Sequence, residues 1–222
     1  MTDSWTSRLW ADAEWIYAAI LTHPFHVGLT SGKLDDASFA YYVAQDVHYL
    51  RGYGRALALV AAKAPTQPIA GMFAQHAAGT ISVELSLHDS LLGELGLSSQ
   101  LVDATPASPT TTAYVNHLLT TAHSGTFAEA LAAVLPCYWV YERVGADLVK
   151  QGSPDPRFQR WIDTYGDGEF AAIVADVIHV ADDVGRTLSA EEESRARRHF
   201  VMSSRYEWMF WDAAFRREAW PV

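Results

Sequence analysis

The sequence contains a single cysteine in 222 residues, Cys137. One thiol cannot form an intramolecular disulfide, and it cannot supply the several thiolates of a zinc site built from cysteines. Cysteine use of this kind is typical of a protein in a reducing compartment, so we expect a cytoplasmic location. The lone thiol itself is either an inert part of the core or a reactive group.

Positive charge is also scarce, with 16 Lys and Arg residues against 26 Asp and Glu residues and a net charge of −10. This balance opposes binding to nucleic acid or to an anionic membrane surface, and no Gly-rich phosphate loop is present. No apolar run approaches the roughly 18 residues of a membrane span, and the first residues do not resemble an export signal. We therefore expect a small-molecule partner, with neither nucleic acid nor membrane involved.

The alternation typical of a half-buried strand is missing, whereas apolar residues recur at steps of three and four almost throughout. This periodicity predicts an all-α fold, and no repeat or long linker divides the single domain predicted over residues 1–222. Capping boxes mark two helix starts, at Thr126 with Glu129 and at Ser189 with Glu192. The predicted helices cover residues 3–21, 38–63, 67–95, 109–123, 127–150, 156–163, 168–186 and 190–219.

Two carboxylates interrupt the apolar faces of predicted helices, Asp46 in the second and Glu207 in the last. Burial of a carboxylate is unfavourable unless the group is paired or protonated. Asp46 is therefore either a structural acid satisfied by tyrosine hydroxyls or arginine, or a group that binds a ligand donor. Glu207 is either a proton donor near neutral pH or the ion-pair partner of Arg205 or Arg51.

Cys137 lies on the apolar stripe of its helix, where a lone cysteine is usually inert. Its neighbours argue otherwise: Pro136 removes a helical hydrogen bond just before the thiol, and Tyr138, Trp139 and Tyr141 surround it with aromatic surface. One thiol, two interior carboxylates and several tyrosines on different helices can meet only inside a bundle. This inventory suits a flat, electron-poor aromatic substrate that carboxylates orient and sulfur attacks.

A set of short motifs follows one another along the chain. They are His23-Pro24-Phe25, Gly32-x-Leu34, Phe39-x-x-Tyr42, Gln45-Asp46-x-x-Tyr49-Leu50, Glu84-x-x-x-His88, Ala113-Tyr114, Leu135-Pro136-Cys137-x-Trp139-x-Tyr141, Tyr165 with Phe170, Phe200-x-x-Ser203-x-x-Tyr206-Glu207-x-x-Phe210-Trp211, and Trp220-Pro221. Each motif is short, but the ordered set resembles the TenA (thiaminase II) family, and specifically its cysteine-containing branch.

The resemblance implies a haem-oxygenase-like helical bundle, assembled as a homotetramer, that replaces the amine of 4-amino-5-aminomethyl-2-methylpyrimidine with a hydroxyl group. Some members of the family also cleave thiamin. By position, Cys137 resembles the family's nucleophile, Glu207 its proton-transfer acid, and Asp46 the carboxylate that binds the amino and ring-nitrogen edge of the pyrimidine. The family's pocket tyrosines are matched by Tyr49, Tyr114, Tyr141 and Tyr165.

One position departs from the family pattern, since His48 stands where an aromatic residue is common, and this bears on the shape of the pocket. Two other functions are open. A haem or di-iron oxygenase on the same scaffold would use His23, or Glu84 with His88, as ligands, although the Glu84/His88 spacing is not that of di-iron helices and is more typical of a hydrogen-bonded core pair. A pyrimidine-binding regulator would show no turnover. We expect no cofactor and no metal.

Overall fold

A computed structural model describes the backbone of residues 4–94, 99–166 and 168–222, and the side chains of the same residues except 81–94 and 99–101. The described ranges contain α-helices and no strand, so the all-α prediction is confirmed. The helices are α1 (Trp5–Leu21), α2 (Pro24–Ser31), α3 (Asp36–Lys63), α4 (Gln67–Glu94), α5 (Ser99–Ala104), α6 (Pro109–Ser124), α7 (Phe127–Gln151), α8 (Pro156–Asp163), α9 (Gly168–Gly185) and α10 (Ala190–Arg216).

Helices α3, α7 and α10 form the centre of the bundle. α3 packs against α4, α6 and α7, and α10 packs against α1, α3, α6 and α7, while α9 covers α1 and α7. Aromatic rings fill much of the core between them, with Trp211, Tyr42 and Tyr114 among the largest fully buried side chains. Within the described ranges, none of the helices combines the length and hydropathy that a membrane-spanning segment needs.

Both predicted capping boxes are present and confirmed. The Thr126 hydroxyl accepts from the N–H of Glu129 while the Glu129 carboxylate accepts from the N–H of Thr126, and Ser189 and Glu192 do the same at the start of α10. Each box satisfies two backbone N–H groups that the first helical turn leaves without partners. The two helices that carry the thiol and Glu207 therefore begin at residues specified by local sequence.

Helix α2 was not predicted, and neither was α5, which lies between the predicted helices 67–95 and 109–123. α2 has only eight residues, too few to show a helical period, and its start depends on Pro24 at the first position and on the His23 ring. The His23 Nδ1 accepts from the Phe25 N–H at 3.1 Å. The helix ends at Gly32, whose φ of 68° lies in the left-handed region that glycine adopts without strain.

The last helix ends at Arg216 rather than at the predicted residue 219. Arg217 adopts a left-handed conformation with φ of 50°, which turns the chain back toward α6. There the Glu218 carboxylate accepts from the N–H of Thr110 at 2.9 Å, and the Trp220 indole donates to the Ala107 carbonyl at 2.9 Å. These contacts to a distant segment stop the helix although its local sequence would continue it.

Two glycines allow close approaches that shape the interior. A Cβ at position 145 on α7 would overlap the Tyr165 side chain, and a Cβ at position 52 on α3 would overlap Val115 on α6. Glycine at both positions therefore lets Tyr165 lie against α7 and lets α6 approach α3.

Candidate active site

Three polar residues from separate central helices meet inside the bundle: Asp46 on α3, Cys137 on α7 and Glu207 on α10. The charges of Glu207 and Asp46 both act on the thiol, and the charge of Asp46 acts on Glu207. The structure thus brings together the three residues singled out as nucleophile, acid and ligand-binding carboxylate.

The Cys137 thiol is held in its neutral form in the free protein. Burial raises the pKa of Cys137 well above its usual value, and the nearby Glu207 charge raises it further. The Tyr49 and Tyr53 hydroxyls act in the opposite direction and lower this pKa. The Tyr49 hydroxyl is buried and has no hydrogen-bond partner among the described residues, so it is available to donate to a thiolate or to a ligand. Ionisation of the thiol therefore requires removal of its proton or a change on ligand binding.

Glu207 is a buried acid with a single strong hydrogen bond. The Tyr114 hydroxyl donates to its Oε1 at 2.5 Å. Burial raises the pKa of Glu207 to about 8, an effect that the Tyr114 hydrogen bond offsets only in part. At neutral pH the side chain is therefore mostly protonated, which suits it to donate a proton.

The arginine partners considered for Glu207 lie elsewhere. Arg51 pairs with Asp103 at 3.0 Å. The Arg205 guanidinium lies over the ring of Trp15, 6.0 Å from its centroid. The structure therefore supports the proton-donor interpretation of Glu207 rather than the ion pair.

Asp46 has no hydrogen-bond or ion-pair partner among the described residues. Its side chain is partly exposed, as are those of Cys137 and Tyr165, whereas Glu207 and Tyr49 are buried. The three partly exposed residues mark the open side of the cluster. Loss of water raises the pKa of Asp46 to about 7. A structural acid would be satisfied by protein groups, and Asp46 is not. An unpartnered carboxylate at the open side is instead free to bind a ligand.

Tyrosines cover the thiol and Glu207 on one side. The Tyr49 ring stacks on Tyr53 with a centroid distance of 5.5 Å and contacts Tyr114 at 4.9 Å. Tyr49 and Tyr114, both expected in the pocket, therefore lie beside the thiol and the acid. Tyr53 was not expected there, although it follows Tyr49 by four residues on the same face of α3, which is the signal that could have identified it.

A second aromatic cluster lies on the Asp46 side. Tyr42 stacks on Trp211 at 4.7 Å with an interplanar angle of 7°, and its hydroxyl lies 3.2 Å from that of Tyr141. The Tyr165 ring lies 6.1 Å from Tyr141, and the Asp46 charge acts on its hydroxyl. Two of the expected pocket tyrosines, Tyr141 and Tyr165, therefore lie in this cluster. Tyr42 and Trp211 were not predicted to lie in the pocket.

Gln45 and His48, which flank Asp46 in sequence, contact the segment that leads into α6. The buried Gln45 amide accepts from the N–H of Ser108 at 2.9 Å and from the Thr111 hydroxyl at 2.8 Å, which joins α3 to the start of α6. The His48 Nε2 lies 2.7 Å from the Thr105 carbonyl oxygen. His48 therefore contacts the segment before α6.

The histidine considered as a haem ligand has a structural role. Its Nδ1 caps α2, and its Nε2 lies 3.5 Å from the Asp212 carboxylate, so both nitrogens of His23 are engaged. The side chains of Glu84 and His88 lie outside the described residues. Among the residues whose side chains are described, no group of three or more His, Cys, Asp and Glu residues is placed to hold a metal ion.

A groove of about 700 Å³ also lies between α1 and α10, on the surface and apart from the thiol cluster. Both carboxylates of its lining are paired, since Arg197 donates to Asp12 through two hydrogen bonds of 2.7 Å and Arg8 donates to Glu193 at 2.7 Å. The groove contains neither a cysteine nor an unpartnered acid.

Residues 10–217 match the sequence model of the TENA/THI-4/PQQC family. The aminopyrimidine aminohydrolase of Bacillus subtilis (strain 168) is 38% identical over 210 residues, which cover 95% of this chain and 89% of that protein. Among solved structures, the TenA homologue protein from P. horikoshii OT3 matches with a TM-score of 0.87 at 32% identity, covering 96% of this chain and 99% of that one.

The fold is also similar to that of a domain of unknown function with a heme oxygenase-like fold from Shewanella denitrificans OS217. The TM-score is 0.75 at 17% identity, covering 96% of this chain and 92% of that one. At this identity the similarity concerns the fold alone. It confirms the predicted haem-oxygenase-like architecture.

Proposed function

The chain belongs to the TENA/THI-4/PQQC family, and we propose that it is an aminopyrimidine aminohydrolase of thiamin salvage. It replaces the 5-aminomethyl amine of 4-amino-5-aminomethyl-2-methylpyrimidine with a hydroxyl group and releases ammonia. One observation carries this proposal: a thiol, a protonated acid and an unpartnered carboxylate share one cluster lined by tyrosines. The name of the Bacillus subtilis relative supports the same reaction.

Asp46 binds and orients the pyrimidine in this proposal. The 4-amino group and the adjacent ring nitrogen form one polar edge, which matches the two oxygens of a carboxylate when the ring nitrogen is protonated. Tyrosine rings from both aromatic clusters stack on the ring or bond near it. The substrate class is therefore a small aminopyrimidine, and the lone free thiol suits a cytoplasmic enzyme.

Cys137 acts as a covalent nucleophile. Its sulfur adds to the ring carbon next to C5, and the displaced electrons form an exocyclic double bond at C5 as the amine leaves. Glu207 protonates that amine, which departs as ammonia. Water then adds to the exocyclic carbon and returns a proton to Glu207, and expulsion of sulfur restores the aromatic ring.

The direct test is incubation of the purified protein with aminomethylpyrimidine and with thiamin, side by side. We expect ammonia from the first substrate, and release of the thiazole would show whether thiamin is also cleaved. Activity should survive exhaustive chelation, because the proposed chemistry requires neither a metal nor a cofactor. Binding of pyrimidine without turnover would instead indicate a regulatory protein, and activity restored only by iron would favour an oxygenase.

Asp46→Asn should weaken binding of hydroxymethylpyrimidine, the reaction product, by about 10- to 100-fold. Asparagine retains an acceptor oxygen but loses the charge that favours a protonated ring nitrogen, so addition of sulfur should slow as well. Titration calorimetry measures the affinity, with the exposed Asp183→Asn as the control. An unchanged affinity would remove Asp46 from the binding site.

We also propose a homotetramer. Several large apolar side chains are exposed in this protomer, among them Trp15 at 60% on α1 and Met202 and Met209 on α10. Exposed aromatic and methionine side chains are enriched at interfaces between subunits. Light scattering should give about 98 kDa, four times the 24.5 kDa chain mass. A mass of about 25 kDa at micromolar concentration would contradict the proposal.

A further inference from the structure

A series of polar side chains leads from the Cys137 sulfur toward the surface. Tyr53 on α3 comes first: its hydroxyl donates to the Val134 carbonyl at 3.2 Å, on the turn of α7 just before Cys137 and Tyr138, and it lowers the pKa of both the thiol and the Tyr138 hydroxyl. Tyr138 on α7 comes next, and its hydroxyl lies 2.9 Å from Nδ1 of His76 on α4. The ring centroids are 5.8 Å apart for Tyr53 and Tyr138, and 5.6 Å apart for Tyr138 and His76.

His76 is the outer end of this series. Tyr138 is buried, whereas His76 is half-buried. Burial lowers the pKa of His76, while the exposed carboxylate of Asp176 on α9 raises it. Among the described residues, the titratable groups that act on this ring are Tyr138 from α7 and Asp176 from α9. An imidazole in this position can accept a proton from Tyr138 and release another to water.

The thiol needs a proton acceptor that the proposed mechanism has not supplied. Burial raises the pKa of Glu207 to about 8, so this side chain already carries a proton at neutral pH, and the mechanism delivers that proton to the amine. Asp46 is engaged with the edge of the pyrimidine. The neutral thiol is partly exposed at the open side of the cluster, but the pyrimidine bound there covers it, so its proton must leave by another route before sulfur attacks.

We propose that Tyr53, Tyr138 and His76 form a proton relay that carries the thiol proton of Cys137 to solvent and returns it when sulfur leaves. Tyr138 and His76 become functional residues that act through the thiol without contacting the substrate. The role in turnover rests on the proposed aminohydrolase function, whereas the effect on the thiol does not.

Each transfer conserves protons. As the S–C bond forms, the S–H proton passes to the Tyr53 oxygen, Tyr53 passes its own hydrogen to Tyr138, and Tyr138 passes its own to Nδ1 of His76. The imidazolium releases a proton from Nε2 to water, and the reverse sequence reprotonates the sulfur when the C–S bond breaks. In the resting structure Tyr53 donates to the Val134 carbonyl at 3.2 Å, so its hydroxyl turns toward Tyr138 before the transfer.

Two variants interrupt the relay and leave the thiol in place. His76→Asn retains an amide that can bond Tyr138 but cannot carry a proton, and Tyr138→Phe removes one hydroxyl. We expect kcat to fall by about 10- to 100-fold in each, with KM within about twofold. The double variant should be no slower than the slower single variant, because the two groups act in series. Imidazole should restore part of the activity of His76→Ala.

Two control variants carry a His→Asn and a Tyr→Phe substitution at positions outside the relay. His179→Asn changes an exposed histidine on α9, and Tyr17→Phe removes a hydroxyl that bonds the Arg143 carbonyl on the surface. Both should keep wild-type kcat. A change confined to KM in the relay variants would indicate a packing role and would overturn the proposal.

Alkylation of the thiol by iodoacetamide tests the relay without turnover, because Cys137 is the sole cysteine of the sequence. The Tyr53 hydroxyl stabilises the thiolate more strongly when Tyr138 and His76 complete the hydrogen-bonded series. Alkylation at a fixed pH should therefore slow by about threefold or more in both relay variants and not in the controls. A slower alkylation in a protein inactive on aminopyrimidine would refute the proposed function and support the relay. An unchanged alkylation rate in both variants would overturn the relay whatever the turnover.

Discussion

Cys137→Ser is expected to lower turnover of aminomethylpyrimidine by about 1,000-fold or more while pyrimidine affinity stays within about threefold. Serine preserves the size and polarity of the side chain, but its hydroxyl ionises far less readily than a thiol and is a poorer nucleophile. The pyrimidine is held by Asp46 and the tyrosine rings, none of which the substitution changes. Steady-state kinetics and calorimetric titration with hydroxymethylpyrimidine measure the two quantities separately.

A control substitution on the same helix accompanies the Cys137→Ser measurement. Ala128→Ser, nine residues earlier on α7 and also buried, introduces a hydroxyl into the same helix more than two helical turns from the thiol. The melting temperature of this control shows how much stability the fold loses when a hydroxyl is introduced into α7. Near-normal turnover by Cys137→Ser would show that sulfur is not the nucleophile. In that case Glu207 would activate water directly.

Glu207→Gln is expected to reduce kcat by about 100- to 10,000-fold, the contribution usual for a positioned proton donor. Glutamine can still accept the hydrogen bond from Tyr114, so the geometry of the site is preserved. The wild-type rate should decrease as pH rises through about 8, where Glu207 loses its proton, and this decrease should disappear from the residual activity of the variant. A variant with unchanged kcat would exclude Glu207 as the acid.

The same substitution should stabilise the fold at high pH. Glu207 holds its proton up to about pH 8 in the folded chain but only to its ordinary value of 4.5 when unfolded. The native state therefore binds the extra proton between these values, and the stability that Glu207 contributes is complete below 4.5 and lost as pH rises through 8. Glutamine does not titrate. In thermal melts, the melting temperature of Glu207→Gln should rise relative to that of wild type from about pH 5 to about pH 9. A difference in melting temperature that does not change with pH would contradict this.

Local sequence determined the helical framework and the residues that face inward. Capping boxes depend on residues three positions apart, so Thr126 and Ser189 mark the starts of α7 and α10 without any information about the rest of the chain. Helical periodicity likewise places Asp46, Cys137 and Glu207 on inner faces, because residues three and four apart share one side of a helix. The ordered motifs also identified the family.

Tertiary structure decided which side chains meet. Glu207 accepts its hydrogen bond from Tyr114, 93 residues away on another helix, and not from the arginines that sequence offered equally. The polar series from the thiol to His76 joins three helices, and its outer histidine carries no signal in the sequence. Such pairs depend on how helices cross and how closely they approach, as Gly145 and Gly52 allow here. Periodicity specifies the inner face of each helix, whereas the partner on the opposing face is set by packing between segments that are remote in sequence.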